Sequence, residues 1–565
     1  MRALLALLLA LLPCAGYGQA LSAADSTYID SLMTASYLPN GPGAVILVAG
    51  NGTPLFRKAY GLASVELNVP NRPEYLFRIG SISKQFTSVA MLQLAQGGKL
   101  SLTDDIRTYL PGYNTHGRTI TIEHLLTHTS GIPSYTEKPD FIKSIVLDKS
   151  KEEIVQFFAD DSLLFEPGTD WSYSNSGYVL AGLIIEKVSG KPLEEYLQTN
   201  IFTPAGMNRT AIGTYEQVLP GAVTGYDERA DSTYRPAAYL SWTWPYAAGA
   251  IVTSVDDMMK WDEALYSDKL LARSWLEKAW TSRTLPGGEK THYGYGWVEC
   301  DYKGLRLVTH GGGINGFVSN AIRIPSRHLY VVLLSNFTGK DPNDITNQIA
   351  LRVAGTPLAE PAVRSLGGDA LREYTGVYEV NRVGGRRTTN ASAQKVYRTI
   401  TVANDTLFSQ RTGSTKNPLL NVGPDLFVFK DSHLYAQFSR DASGRVVSLK
   451  IYAEPVVTGP TEVEPRTDLP LPAERAVITL DPAVLARYRG KYDVGGGFIL
   501  TITAGEGRIF MQPTGQEIVE IYPESETKFF LKVVDASVEF HKDSSGKVTG
   551  LVLYQAGRYE ARKIE

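Results

Sequence analysis

The sequence is poor in cysteine and carries almost no net charge. Its 565 residues include two cysteines, and 56 basic residues nearly balance 59 acidic ones, which gives a formal net charge of −3. A chain this close to neutrality provides no basic field for nucleic acid or for an anionic membrane surface. Hydrophobic residues make up 43% and charged residues 20% of the chain, which excludes wholesale disorder. We expect a folded protein without a nucleic-acid partner.

Long hydrophobic runs are absent after the N-terminus. The sequence therefore predicts no membrane span, which needs about 18 or more apolar residues. The N-terminus has Arg2, an apolar run over residues 3–12 and small residues over 15–20. This pattern is typical of a secretory signal peptide. We expect removal of residues 1–20 and a periplasmic or secreted mature protein.

The two cysteines lie on either side of the predicted cleavage. Cleavage near residue 20 removes Cys14 and leaves Cys300 alone, so no intramolecular disulfide is expected. Lipid attachment at Cys14 is the alternative, but Pro13 directly before it argues against cleavage at that position.

Two copies of one motif mark the C-terminal part of the chain. The pattern Leu-x-x-Tyr-x-Gly-x-Tyr occurs at residues 371–378 and again at 485–492. Both copies continue with short runs of alternating apolar and polar residues, which are typical of antiparallel strands. The repeat predicts a duplicated domain, and the evenly spaced short strands predict an antiparallel barrel or sandwich for each copy. Of these two, we expect a lipocalin-like β-barrel.

Strand-like and helix-like segments are mixed before these copies. Strands are predicted over 43–48, 305–310 and 329–335, and helix signals fill most of residues 100–200. Strands at both ends with helices inserted between them predict an α+β domain with an antiparallel sheet. With Pro-rich breaks as boundaries, the predicted order is signal peptide (1–20), α+β domain (21–355), linker (356–370), first barrel (371–454), second linker (455–484) and second barrel (485–565).

A serine and a lysine lie three residues apart at the start of a predicted helix over 81–96. Ser81 and Lys84 would share one face of its first turn, and the helix is apolar around most of its circumference. A serine attacks a carbonyl only when a base takes its proton, and a buried lysine at the positive end of a helix is suited to that task. The same spacing recurs at Ser525 and Lys528 in the second barrel, so the motif alone decides nothing.

Two further motifs follow along the chain. Tyr173 and Asn175 come after a Pro-Gly turn and just before an apolar helical run. A phenol relays protons and an amide binds a peptide carbonyl, although a packed tyrosine and a helix-capping asparagine explain the same residues. His310 precedes three glycines, 311–313, at the end of a predicted strand, where glycines permit close approach of a ligand. Taken alone, these glycines predict a loose turn.

Three motifs follow one another along the chain: Ser-x-x-Lys at residue 81, Tyr-x-Asn at residue 173 and His-Gly-Gly at residue 310. Together, and in this order, they resemble the serine β-lactamase and penicillin-binding-protein superfamily. The phrases at 121–131 and 310–313 are similar to its class C β-lactamase, D-aminopeptidase and alkaline serine peptidase branch. The resemblance covers roughly residues 25–355, and the barrels look like the accessory domains of D-aminopeptidases. It implies a β-lactamase/transpeptidase-like domain and a serine hydrolase that needs no cofactor.

The resemblance also implies a role for each matching residue. Ser81 would attack a carbonyl and become acylated. Lys84 and Tyr173 would share the transfer of its proton to the leaving group. Asn175 would bind the substrate amide. The backbone N–H groups of Ser81 and Gly313 would form an oxyanion hole.

His310 is the main departure from a β-lactamase. It would replace the lysine that orients the substrate in most β-lactamases, with Gly312 and Gly313 lining the substrate site beside it. Because histidine is not a permanent cation near neutral pH, we expect weak recognition of a substrate carboxylate. This expectation favours peptidase or esterase activity over antibiotic hydrolysis.

Two other patterns have simpler explanations. His124 and His128 have the spacing of metal ligands on a helix, and Glu123 lies beside them, but no further His or Cys cluster accompanies them, so no metal site is predicted. Glu166 stands in a Glu-Pro-Gly turn directly before Tyr173, where a structural role is expected.

Three functional hypotheses follow. The leading one is a secreted or periplasmic serine hydrolase that cleaves a small peptide, amide or ester, in particular short peptides with a D-residue. An esterase or a weak β-lactamase would use the same residues. The third is a non-catalytic binder of cell-wall fragments or lipid-like ligands, with the barrels as the binding module. The sequence leaves open the natural substrate, its stereochemistry and the oligomeric state.

Overall fold

The computed structural model describes residues 21–565 except 139, 230–232, 384–385, 388–394, 431, 456–462, 474, 496–497, 515, 517 and 556. The predicted signal peptide, with Cys14, lies outside the described residues. Cys300 is buried and takes part in no disulfide. Among the described helices, none is long and apolar enough to cross a membrane.

Six antiparallel strands form the main sheet of the N-terminal domain. Ala44 pairs with Ser335 and Gly50 with Leu329, so strands from the two ends of the domain are neighbours. Both strands are apolar on both faces and almost wholly buried, which places them inside the sheet with helices above and below. In spatial order the strands are Val298–Tyr302, Leu305–Ile314, Phe317–Ile324, Leu329–Ser335, Ala44–Gly50 and Thr53–Tyr60.

Helices cover both faces of the main sheet. On one face, the helices Ala23–Ser36 and Pro342–Val353 share a core with the sheet. On the other face, a larger core holds the helices Ser83–Gln96 and Asn175–Ser189. The expected α+β domain, an antiparallel sheet with an inserted helical region, is confirmed.

The inserted region contains many short elements. Its further α-helices are Ile122–Leu126, Phe141–Ser144, Lys151–Gln156, Leu193–Leu197, Thr203–Ala205, Tyr246–Gly249, Val255–Ala264 and Arg273–Trp280. Single turns of 3-10 helix are Gly80–Ile82, Ile106–Thr108, Tyr135–Glu137 and, outside the insertion, Pro325–Arg327; Gln198–Phe202 is a π-helical turn. Small strands are Leu62–Ser64, Val69–Pro70, Phe77–Arg78, Ala211–Ile212, Tyr226–Glu228, Tyr234–Pro236 and Ile251–Thr253.

Two antiparallel barrels follow, as predicted, and each has its own hydrophobic core. Barrel 1 has the helix Gly368–Arg372 before it, a side hairpin Arg382–Val383 with Arg386–Arg387, and the strands Gly376–Val380, Val396–Ala403, Thr406–Arg411, Lys416–Gly423, Leu426–Phe429, Leu434–Arg440, Val446–Ala453 and Val463–Pro465. Barrel 2 has the helix Pro482–Arg487 and the strands Gly490–Gly495, Phe498–Gly505, Arg508–Pro513, Val519–Glu520, Tyr522–Pro523, Lys528–Phe530, Ser537–Lys542, Val548–Tyr554 and Arg558–Lys563.

The duplicated motif makes the same corner in both barrels. In barrel 1 the Tyr378 hydroxyl donates to the Tyr374 carbonyl at 2.8 Å. In barrel 2 the Tyr492 hydroxyl donates to the Tyr488 carbonyl at 2.7 Å. All four rings are buried in the two barrel cores. The sequence repeat is therefore a structural repeat, since each copy ties its first strand to the preceding turn in the same way.

Barrel 1 is closed by a strand that the sequence places in the second linker. Val463–Pro465 pairs with the strand Val446–Ala453, and Arg466 bridges to Tyr378 on the first strand. A buried ion pair holds this strand on barrel 1. Arg398 donates to both carboxylate oxygens of Glu464 at 2.7 and 3.0 Å, with the two side chains 11% and 8% exposed.

Barrel 1 contacts the N-terminal domain on the face that carries Pro342–Val353. There His433 Nδ1 lies 2.6 Å from Asp344 Oδ1, and this contact raises the pKa of His433. A contact between the barrels joins the Gly413 amide to the Asp535 carboxylate at 3.3 Å.

We predict that Glu464→Gln destabilises barrel 1 by about 3 kcal/mol or more, because it leaves the Arg398 guanidinium buried without its charged partner. Far-UV circular dichroism in urea measures this loss. The exposed pair Lys395 and Glu379 provides the control: Glu379→Gln should change stability by less than about 1 kcal/mol. All seven tryptophans lie between residues 171 and 297, so their fluorescence should report an unchanged N-terminal domain. Equal effects of both substitutions would contradict the prediction.

Candidate active site

Ser81 lies at the entrance to a buried helix. It is the middle residue of the 3-10 turn Gly80–Ile82, and the α-helix begins two residues later at Ser83. The prediction that Ser81 belongs to the first α-helical turn is therefore wrong in detail. Gly80 has a left-handed backbone (φ 50°) that redirects the chain just before the helix. The helix is buried over most of its surface, as predicted.

Lys84 is completely buried and is held by three different parts of the fold. Its Nζ donates to Ser81 Oγ at 3.1 Å, to Asn175 Oδ1 at 2.8 Å and to the carbonyl of Ala248 at 2.9 Å. Nζ also lies 4.8 Å from the ring centre of Tyr173. An ammonium group has three hydrogens, and each of them has an acceptor here. The structure thus brings Ser81, Lys84, Tyr173 and Asn175 into one neighbourhood.

Asn175 is oriented from both sides of its amide. Its Oδ1 accepts from Lys84, while its Nδ2 donates to Thr136 Oγ1 at 3.2 Å. Asn175 begins the helix Asn175–Ser189, but the side chain that caps this helix belongs to Ser174, which accepts from the Gly177 amide. The capping explanation for Asn175 is therefore wrong, and its amide is available to the site.

Tyr173 lies in a cluster of aromatic rings beside Lys84. Its ring centre is 4.2 Å from that of His128 and 6.2 Å from that of His310. His128 Nδ1 in turn accepts from the Ser174 amide at 3.0 Å. His128 therefore positions the Tyr173–Asn175 segment.

The glycines after His310 lie inside a long strand, which we call the glycine strand (Leu305–Ile314). The predicted loose turn is wrong, because residues 311–313 pair in register with 318–320 of the next strand. A Cβ on Gly312 would lie 1.9 Å from the Ile79 carbonyl, so only glycine lets the strand approach the turn before Ser81. A Cβ on Gly80 would lie 2.9 Å from the Gly313 amide nitrogen. A Cβ on Gly313 would meet nothing within 4 Å.

His310 is buried and neutral. Burial, with the charge of Lys84 nearby, lowers the pKa of His310 to about 3. Its Nδ1 lies 2.6 Å from the Gly311 carbonyl, which only accepts, so Nδ1 carries the hydrogen. Nε2 is then the acceptor for the Tyr293 hydroxyl at 2.8 Å. His310 therefore brings no positive charge to the site at neutral pH.

Three groups at this site escape sequence reasoning. The Ala248 carbonyl leaves no signal because any residue supplies one. Thr136 and Tyr293 belong to no motif, although Tyr293 stands in the aromatic phrase Tyr-Gly-Tyr-Gly-Trp. An aromatic segment of this kind indicates that its residues could line a site, but it does not predict which residues they contact.

His124 and Glu166, which belong to the two other patterns in the sequence, make structural contacts. Thr121 and His124 form a reciprocal cap at the start of a short helix. Glu166 is largely exposed and pairs with Arg118 at 2.7 Å. Within the part of the chain that the structure describes, no group of three or more His, Cys, Asp or Glu side chains could hold a metal ion.

One known protein family matches the part of the chain that carries this site. The family model described as "Beta-lactamase" matches residues 34–356, more than half of the chain. The chain belongs to the beta-lactamase family. A second family model, a domain of unknown function, matches residues 474–564, which include barrel 2.

Several curated proteins are similar to this chain. "Penicillin-binding protein 4*" of Bacillus subtilis is 26% identical over 91% of this chain and 93% of that protein. D-aminopeptidase of Gluconobacter oxydans is 30% identical over 52% of this chain and 56% of that protein. The first similarity covers most of both chains, whereas the second covers about half of each chain.

Solved structures of the family show the same fold. An octameric penicillin-binding protein homologue from Pyrococcus abyssi has a TM-score of 0.56 and 26% identity, covering 77% of this chain and 98% of that chain. A D-stereospecific amidohydrolase from Streptomyces sp. has a TM-score of 0.50 and 25% identity, covering 57% and 98%. As a member of the beta-lactamase family with these relatives, the protein is a serine hydrolase.

We predict that alanine destabilises the protein at Gly312 and has almost no effect at the neighbouring Gly313. Gly312→Ala should destabilise the N-terminal domain by about 1–3 kcal/mol, because its methyl group overlaps the Ile79 carbonyl and Ser319 Oγ. Gly313→Ala should change stability by less than about 0.5 kcal/mol, because its methyl group enters open space. Urea unfolding followed by tryptophan fluorescence measures both. Similar losses at the two positions would contradict the close approach of the glycine strand to Ile79.

We predict that His310 makes the N-terminal domain less stable in acid. The unfolded chain takes up a proton at His310 near pH 6.5, whereas the folded chain resists it down to about pH 3. Stability is therefore lost as the pH falls through this window. His310→Gln should reduce the loss between pH 7.5 and 5.0 by roughly 2 kcal/mol, measured from urea midpoints of tryptophan fluorescence. An unchanged pH dependence in the variant would contradict a buried neutral histidine.

Proposed function

We propose that the protein is an exported serine hydrolase that cleaves short peptide-like substrates, including those with a D-residue, through an acyl-enzyme on Ser81. The observation that carries this proposal is the hydrogen bond from Lys84 Nζ to Ser81 Oγ, with Tyr173 and Asn175 beside it. Acyl transfer requires a nucleophile, a base and a group that orients the substrate close to one another. Ser81, the Lys84 and Tyr173 pair, and the Asn175 amide meet this requirement.

The first step is attack of Ser81 Oγ on the substrate carbonyl carbon. The hydroxyl proton moves to the Lys84 and Tyr173 pair, which later returns a proton to the departing amine or alkoxide. In the resting arrangement Lys84 donates to Ser81, so it must lose a proton before it accepts one from that serine. That proton passes to solvent or to the Tyr173 oxygen as a phenolate, and the neutral Lys84 amine then accepts the Ser81 proton; the Tyr173 ring lies against the same amine.

The oxyanion of the tetrahedral intermediate requires donors on the opposite side of the carbonyl. The backbone N–H groups of Ser81 and Gly313 are the donors we assign, since Gly80 brings the backbone of Gly313 against the turn that holds Ser81. Donors of this kind typically contribute a few kcal/mol each to catalysis. Water then attacks the acyl-enzyme carbonyl and releases Ser81 by the reverse sequence of proton transfers.

Asn175 holds the substrate chain. Its Nδ2 has two hydrogens, of which one is donated to Thr136. The other is directed to a carbonyl of the substrate. Neutral His310 and Tyr293 form the wall behind Tyr173, which limits the positive charge near the reacting carbonyl to Lys84.

Export and the preference for D-residues are supported by other observations. Export rests on residues 1–20, whose pattern is that of a signal peptide. Preference for D-residues rests on relatives named as D-aminopeptidase and D-stereospecific amidohydrolase. Turnover of D- and L-aminoacyl anilides, compared with a p-nitrophenyl ester and a penicillin, separates peptidase, esterase and β-lactamase activity.

We predict that Ser81→Ala abolishes covalent acylation. Intact-mass spectrometry after exposure to a p-nitrophenyl ester or a fluorophosphonate should show one adduct on the unmodified protein and none on the variant. Ser525→Ala is the matched control, because Ser525 and Lys528 have the same spacing on barrel 2, and it should acylate normally. Lys84→Ala should slow acylation at least a hundredfold. Adducts that persist in Ser81→Ala would refute Ser81 as the nucleophile, and the absence of any adduct on the unmodified protein would favour a non-catalytic binder.

A further inference from the structure

Arg78 is a nearly buried cation just before the proposed nucleophile. It ends the small strand Phe77–Arg78, three residues ahead of Ser81, so the two Cα atoms are at most about 11 Å apart. Its Nε and Nη2 are out of contact with solvent and have no hydrogen-bond partner among the described residues. Burial lowers the pKa of Arg78 to about 10, which leaves the guanidinium charged at neutral pH.

Two other guanidinium groups of this chain, buried Arg398 and exposed Arg57, hold carboxylates. Arg398 binds Glu464 through Nε and Nη2, and Arg57 binds Asp256 through the same two atoms at 2.7 Å each. This edge matches the two oxygens of a carboxylate. In Arg78 the same edge has no carboxylate opposite it within the described part of the chain, although leaving such donors unpaired is costly.

The guanidinium of Arg78 is held against one aromatic ring, that of Trp242. It lies 4.1 Å from the ring centre of Trp242, and the backbone amide of Trp242 donates to the Tyr215 hydroxyl at 3.3 Å. A Cβ on Gly213 would lie 2.1 Å from the indole, so this glycine makes room for Trp242. Tyr215 and Tyr239 lie close together and are about half exposed. Stacking covers the flat face of a guanidinium and leaves its hydrogen-bonding edge for another group.

Trp242 belongs to a segment that borders the candidate active site, which we call the rim segment (238–248). At one end, the Asn315 amide donates to the Ala238 carbonyl at 2.9 Å, directly after the glycine strand. At the other end, the Ala248 carbonyl accepts from Lys84. Arg78 therefore contacts the middle of a segment that joins the glycine strand to the candidate bases.

We propose that Arg78 binds a carboxylate of the substrate and thereby selects acyl donors or leaving groups that carry one. The inference rests on the proposed function and names its substrate class. It also reverses the expectation drawn from His310, because Arg78 carries the permanent positive charge that a neutral His310 lacks. Since Nε and Nη2 are covered, binding includes a shift of the rim segment around Trp242.

Two matched substrate pairs test this selectivity. The first pair is mono-p-nitrophenyl glutarate and p-nitrophenyl valerate, which differ by a carboxylate on the acyl side. The second is one dipeptide with a free or an amidated C-terminus, which differ on the leaving-group side. In at least one pair, Arg78→Gln should lower the ratio of kcat/KM values, acidic over neutral, at least tenfold. The pair that responds identifies the position of the carboxylate.

Two variants separate binding from a general structural effect. Arg72→Gln removes the same charge from an exposed position nearby and should leave both ratios unchanged. Arg78→Lys keeps the charge but lacks the two-pronged edge, so its ratio should lie between those of the unmodified protein and Arg78→Gln. Ratios in both pairs that stay within twofold in Arg78→Gln, or that fall equally in Arg72→Gln, would overturn the inference.

A binding measurement keeps this inference distinct from the proposed function. In a Ser81→Ala background, glutarate should change tryptophan fluorescence, and the change should disappear with Arg78→Gln or Trp242→Phe. Glutarate that produces no change in the Ser81→Ala protein would overturn the role of Arg78. If glutarate binds but all esters are hydrolysed equally by the unmodified and Ser81→Ala proteins, the proposed function fails while the carboxylate site stands.

Discussion

The site depends on one buried amine. Taking an ammonium group out of water costs several kcal/mol unless each of its hydrogens meets an acceptor. The acceptors of Lys84 come from Ser81, Asn175 and Ala248, which stand on separate parts of the inserted region. Any rearrangement that separates these parts leaves a buried donor unpaired, so the amine holds the serine, the amide and the rim segment in one arrangement.

Glycine and charge shape the remainder of the site. Gly312 allows the glycine strand to lie against Ile79, and this approach places the backbone of Gly313 beside the turn that holds Ser81. His310, on the same strand, is kept neutral by burial. Positive charge at the site thus comes from Lys84 and, on the proposed view, from Arg78. On the proposed mechanism, Lys84 faces the reacting carbonyl and Arg78 recognises a distant part of the substrate.

The barrels are a separate structural unit with a repeated internal tie. Tyr378 and Tyr492 make the same hydrogen bond to the preceding turn, and each barrel is built on its own core. Barrel 1 contacts the N-terminal domain at Asp344, on the face of the main sheet opposite to that of Gly312 and Ile79. On the proposed mechanism the chemistry is confined to the N-terminal domain, so an influence of this contact on hydrolysis would pass through the sheet.

The sequence alone determined the fold class, the duplication and the family, because these depend on local periodicity and on short motifs, each of which spans only a few residues. Leu329–Ser335 was predicted residue for residue since it is an uninterrupted apolar run. Tertiary structure decided what depends on distant residues. Ala248 and Tyr293 belong to no motif, the glycines after His310 extend a strand because the next strand pairs with them, and Glu464 closes barrel 1 because Arg398 needs a partner. Such contacts are fixed by burial and hydrogen bonding across the fold, which no local pattern encodes.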